Sequence, residues 1–104
     1  MTKDIDFVWP LLQQHQGETF YTAKGLPFTY TIRGGELFVD RRGKSITIST
    51  VANALEKIAA LEMDGIPITG PKKIGCYGAS YLYPVLLALG IFTIPDSSQN
   101  VNAI

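Results

Sequence analysis

The chain has 104 residues, 46% hydrophobic and 17% charged, which fits one folded domain with a modest core and excludes a disordered polymer. Nine basic and nine acidic residues cancel to a net charge of zero, which excludes a uniformly basic nucleic-acid coat. A single cysteine, Cys76, excludes an intramolecular disulfide and a cysteine-rich zinc site. No run reaches the roughly 18 apolar residues of a membrane span, and the N-terminus lacks a basic-then-apolar signal pattern. The expected location is cytoplasmic, without membrane association.

Taken in chain order, Asp6 is placed to cap a helix running to about residue 16, with Gly17 as its stop and Phe7, Val8, Leu11 and Leu12 on its apolar side. Residues 19–22 read as a short strand, after which Ala23-Lys24-Gly25-Leu26-Pro27 turns the chain. Residues 28–33 and 36–40 are two strands joined by Gly34-Gly35, the two-residue signal for a primed hairpin turn. That turn sets Arg33 opposite Glu36, Ile32 opposite Leu37 and Tyr30 opposite Val39. With 41–44 as the next loop, Asp40 faces Ser45, Ile46 faces Val39 and Ile48 faces Leu37. One face then gathers the aliphatic and aromatic residues of all three strands, and a one-residue slip would scatter them. The other face is polar except for Phe38.

Ser49 is a suitable N-cap for a helix ending before Gly65, with Val51, Leu55, Ile58 and Glu62, joined by Ala54 and Leu61, along a mixed stripe of 3.6-residue period. Residues 65–79 form a Gly/Pro-punctuated connection with one helical turn at 71–74. The small-residue run 75–80 fits a close backbone approach to a neighbouring helix or strand, with a bound ligand as the lesser alternative. Ser80 then caps a largely apolar helix through Leu89, Gly90 ends it, and residues 91–94 extend as a further strand. The expected architecture is an α+β domain over residues 1–94, of order α-β-β-β-α-α, with a three-stranded antiparallel sheet, one N-terminal and two C-terminal helices. A polar tail follows at 95–104.

Charge is segregated along this order. Residues 19–45 carry Lys24, Arg33, Arg41, Arg42 and Lys44 against Glu36 and Asp40, a balance of +3, and Arg41-Arg42-Gly43-Lys44 crowds three of these cations into one loop. Arg33, Thr47, Ser49 and Thr50 add a cation, hydroxyls and a helix N-terminus suited to phosphate. Lys72 and Lys73 form a second phosphate clamp, and Phe38 offers a ring on which a single-stranded base can stack. No catalytic set accompanies them. His15 and Cys76 are the only residues of their kind and lie far apart in the chain, and the carboxylates show no metal-ligand or acid–base pairing. Gly43-Lys44-Ser45 lacks the upstream glycine of a phosphate-binding loop and enters a strand where that motif needs a helix.

Ile48-Ser49-Thr50-Val51-Ala52-Asn53-Ala54-Leu55 resembles the recognition helix of bacterial helix-turn-helix repressors, with a strand in place of the preceding helix and tight turn. Residues 81–92, closing on Leu86-Leu87-Ala88-Leu89-Gly90-Ile91-Phe92, are similar to a winged-helix third helix running into its wing strand. Residues 28–92 together resemble a rearranged, winged-helix-like unit with the hairpin first. In size and element order the chain is similar to small DNA-binding accessory proteins of conjugative plasmids and other mobile elements. The resemblance implies DNA binding without catalysis or a cofactor. Arg41, Arg42 and Lys44 would contact phosphate or enter a minor groove, supported by Arg33, Thr47, Ser49 and Thr50.

The rival expectation is a protein-interaction module, using some of Phe7, Trp9, Tyr81, Tyr83 and Phe92 as a homodimer surface or the strand at 19–22 as a pairing edge. A third is a closed apolar ligand cavity between the sheet and the last helix, lined by Tyr81 and Tyr83.

Overall fold

Asp4, rather than Asp6, opens the first helix. In the computed structural model, which describes residues 4–41, 43 and 45–93, its carboxylate accepts from the Asp6 N–H at 3.0 Å and caps α1 (Ile5–Gln14). Val8, Trp9 and Leu12 are buried and Phe7 is half exposed, so Trp9 replaces Phe7 on the buried side. Arg42, Lys44, Ile94 and the tail at 95–104 lie outside the described residues.

The strands follow as β1 (Phe20–Tyr21), β2 (Pro27–Phe28), β3 (Tyr30–Arg33), β4 (Glu36–Val39) and β5 (Ser45–Thr47). β1 and β2 make a two-stranded antiparallel ribbon, while β3-β4-β5 is the expected three-stranded antiparallel sheet. The single strand expected over 28–33 is broken at Thr29. Its N–H donates to the Asp40 carboxylate and its carbonyl accepts from the Asp40 N–H, both at 3.0 Å.

Gly34-Gly35 sets the expected β3–β4 register, with Arg33 facing Glu36, Ile32 facing Leu37 and Tyr30 facing Val39. Gly34 adopts φ +58°, the left-handed geometry that a primed turn requires. The β4–β5 register differs from expectation by two residues, so that Leu37 faces Ile46 and Phe38 faces Ser45. The helix decides this. Ile48 already belongs to α2 (Ile48–Met63), and its N–H donates to the Gly35 carbonyl at 2.8 Å instead of extending β5. A shift of two preserves each side chain's face, and Phe28, Tyr30, Leu37, Val39 and Ile46 are all buried. Ile32 is only half buried. The outer edge of β3 is occupied by the α1–β1 connection: Gly17 N–H donates to Tyr30 O at 2.9 Å, and Ile32 N–H to Gln16 Oε1 at 2.8 Å. Such covering removes an edge otherwise open to another chain.

Thr47, not Ser49, caps α2. Its Oγ1 accepts from the Thr50 N–H at 3.2 Å. Val51, Ala54, Leu55 and Ile58 form the buried stripe, and Asn53, Glu56, Lys57 and Ala60 face outward, as their spacing predicts. At the other end Gly65 and Ile66 donate to the Glu62 and Leu61 carbonyls, closing the helix with a Schellman motif. After α3 (Pro71–Ile74), α4 (Ala79–Ala88) begins at Gly78, with no side-chain cap, two residues before the expected Ser80.

Gly78 explains the small-residue run. It holds φ +75°, and a Cβ there would lie 2.7 Å from both Cγ1 and Cδ1 of the fully buried Ile46. Backbone and strand meet at that point. α4 is buried around most of its circumference, through Ala79, Tyr81, Leu82, Tyr83, Val85 and Leu86. It closes with a second Schellman motif, Gly90 N–H donating to Leu87 O and Ile91 N–H to Leu86 O. Ile91 therefore spends its N–H on the helix end, and Ile91 and Phe92 pack into the core as bends instead of forming the expected strand.

The core is one cluster joining helices and both sheets. Phe20 stacks on Tyr30 at 5.7 Å between centroids, and Tyr81 meets Phe28 edge-on at 5.1 Å. The Tyr30 hydroxyl donates to Leu12 O at 2.7 Å, tying the sheet to α1.

Candidate nucleic-acid interface

Five of the expected contact residues sit at two opposite ends of the three-stranded sheet. Arg33, Thr47, Ser49 and Thr50 gather at the Gly34-Gly35 end, where Thr47 faces Glu36 across the ladder. Arg41 leaves β4 at the other end, separated by roughly 10–15 Å of strand. Lys72 and Lys73 are exposed on α3, away from the sheet in the chain. Arg42 and Lys44 belong to the same loop as Arg41 by sequence but lie outside the described residues.

Arg41 is a brace as well as a charge. It is half buried, and its Nε donates to Pro27 O at 2.8 Å, fastening the β4–β5 loop to β2. Together with the paired Asp40–Thr29 contacts, this fixes the base from which residues 42–44 depart. The sequence shows the charge of Arg41 and hides its second task. An arginine on a loop reads as solvated until the carbonyl beside it is known.

At the other end the hydroxyls are largely committed. Thr47 Oγ1 and Thr50 Oγ1 lie 3.0 Å apart and Thr47 also caps α2, which leaves the exposed Ser49 as the more available hydroxyl there. Arg33 lies over the Phe38 ring, its guanidinium carbon 5.4 Å from the centroid. The ring expected to receive a base is half buried and has a cation on its face.

His15 Nδ1 pairs with Glu18 Oε2 at 2.9 Å, at the end of α1. Burial pushes the Cys76 thiol above its ordinary range, the opposite of an activated thiolate. Among the described residues no group of three or more His, Cys, Asp or Glu is placed to hold a metal, and no helix is long and apolar enough to cross a membrane. Of the five rings from which a homodimer surface is expected to draw, Trp9, Tyr81, Tyr83 and Phe92 are buried within the chain's own core, and Phe7 is half exposed. The expected closed cavity between Tyr81 and Tyr83 takes another form. Tyr83 packs on Phe92 at 5.4 Å, while Tyr81 lines a surface groove.

No protein-family model, curated protein or solved structure matches the chain.

Proposed function

We propose that this protein is a non-enzymatic, winged-helix-like DNA-binding accessory or regulatory protein that engages the phosphate backbone or a minor groove through the β4–β5 loop. The observation that carries this reading is the anchored base of that loop. Asp40 is fastened to Thr29 and Arg41 to Pro27, so a segment reading Arg42-Gly43-Lys44 departs from a fixed point on the sheet. A preordered base lowers the entropy lost when a loop settles on a ligand. Arg42 and Lys44 are the principal contacts in this reading, with Arg41 contributing charge from its brace. Arg33, Ser49, Thr47 and Thr50 at the far end, and Lys72 and Lys73 on α3, are secondary contacts.

The test is fluorescence anisotropy with duplex and single-stranded oligonucleotides at low and moderate salt. The variant is Arg42→Ala/Lys44→Ala, which retains Arg41 and so leaves its bond to Pro27 in place. Binding should weaken steeply with salt, and the double variant should bind at least about tenfold more weakly with a salt slope shallower by about 2. Absence of binding by folded protein at low salt would overturn the reading in favour of a protein-interaction module.

A further inference from the structure

Tyr21 is 59% exposed on β1, while its neighbour Phe20 is buried against Phe28 and Tyr30. Strand alternation explains the contrast. Phe20 and Phe28 face each other on the core side of the β1–β2 ribbon, and Tyr21 and Pro27 face each other on the outer side. Among the described residues the Tyr21 side chain makes no hydrogen bond, and no ring or cation lies on its face. Phe38 differs on both counts, being half buried with Arg33 over its ring. The other exposed rings among the described residues, Phe7 on α1 and Tyr77 between α3 and α4, lie outside the ribbon.

The Tyr21–Pro27 pair ties this ring to the basic loop. Proline has no N–H, so the two form a non-hydrogen-bonded pair, whose Cα atoms stand about 4.5 Å apart and whose carbonyls point away from the partner strand. The Pro27 carbonyl is the one that accepts Arg41 Nε at 2.8 Å. Pro27 thus stands between Tyr21 and Arg41. The tyrosine backbone and the guanidinium lie roughly 10 Å apart, about the rise of three stacked nucleotides. The charge around them suits a polyanion. Residues 19–35 contain no Asp or Glu, Lys24 is exposed in the β1–β2 turn, and three cations fall within Arg41-Arg42-Gly43-Lys44. Asp40, the carboxylate that precedes them, accepts from the Thr29 N–H at 3.0 Å and is turned to the backbone.

We infer that the DNA this protein engages is single-stranded, with Tyr21 stacking on one base while the β4–β5 loop holds the adjoining phosphates. The inference rests on the loop contact proposed above and narrows its partner to an unpaired strand. An open ring beside clustered cations meets both chemistries of such a strand, the flat base and the charged backbone. Every base has a face to stack, so the contact adds affinity without selecting a sequence. In a duplex the bases are already stacked and paired, and freeing one costs energy that a ring on an open sheet face does not return.

The experiment is fluorescence anisotropy of the full chain with three ligands: a short mixed-sequence single strand, the matching duplex, and an abasic strand of equal length that keeps the phosphates and lacks the bases. Wild-type protein should prefer the single strand to the duplex. Tyr21→Ala should weaken single-strand binding about tenfold with an unchanged salt slope, and should change duplex and abasic binding less than about twofold. Tyr21→Phe, which keeps the ring, should bind as the wild type does. Arg42→Ala/Lys44→Ala should instead weaken binding to every ligand and flatten the salt slope. Single-strand binding that survives Tyr21→Ala overturns the inference, and so does a preference for the duplex. An equal loss on the abasic strand also overturns it, because that loss reports damage to the ribbon and not a missing stack. The two readings fail separately. Binding that depends on Arg42 and Lys44 but not on Tyr21 removes the stack and leaves the loop contact standing, while absence of binding to all three ligands by folded protein removes both.

Discussion

At the scale of single residues, the contact between Gly78 and Ile46 is the least forgiving in the chain. Two costs coincide there: a left-handed φ of +75° and a Cβ position 2.7 Å from a fully buried side chain. Gly78→Ala should therefore destabilise the fold by about 2–4 kcal/mol, combining left-handed strain with overpacking. Urea denaturation measures this, and Ile46→Val should recover only a part of it, since trimming the strand residue relieves crowding and leaves the backbone strain. Full recovery would mean that crowding alone dictates glycine at this position. Arg41 shows the opposite relation of charge to role. Its charge is plain in the sequence, yet its Nε is committed to Pro27 O, so loss of Arg41 changes the loop as well as its charge.

At the scale of elements, the helix caps separate what residue type suggests from what the backbone uses. Ser49 and Thr47 are both good N-caps by composition, but only the Thr47 hydroxyl accepts an N–H of α2. Thr47→Ala should cost about 1 kcal/mol in a denaturant titration, and Ser49→Ala should change stability by less than about 0.5 kcal/mol. Nearby apolar pattern settles the strands better than it settles the helix ends. The β3–β4 register follows from Gly34-Gly35 because a two-residue turn leaves a single pairing. The β4–β5 register does not, because the intervening loop can lengthen by two residues without moving any side chain to the wrong face. The break at Thr29 depends on a carboxylate eleven positions away and is invisible to local pattern. Likewise the cations of the loop and of α3 are plain in the sequence. Their division between different regions of the surface emerges only when the strands are assembled, and so does the groove at Tyr81.

At the scale of the whole molecule, burial of neutral ionisable groups makes the fold sensitive to alkali. The Tyr30 phenol is raised by burial first and by the Glu18 charge second, and burial also raises Tyr83 and Cys76 above ordinary values of 10.0 and 9.0. Each group holds its proton more tightly in the folded chain than in the unfolded one. Their contribution is fully present below about pH 9, and it is lost as pH rises past the unfolded values and through the folded ones. The denaturation midpoint should accordingly be lower at about pH 10.5 than at neutral pH. Tyr30→Phe should cost about 1 kcal/mol at neutral pH, through the lost bond to Leu12 O, and should lose less on the alkaline side. Following these changes needs no added label. Trp9 is the chain's only tryptophan, and it lies buried on α1 in the same cluster as the sheet residues. Its emission is a native optical gauge of water entering the interior, reading out unfolding from a place that neither the basic loop nor the groove lines.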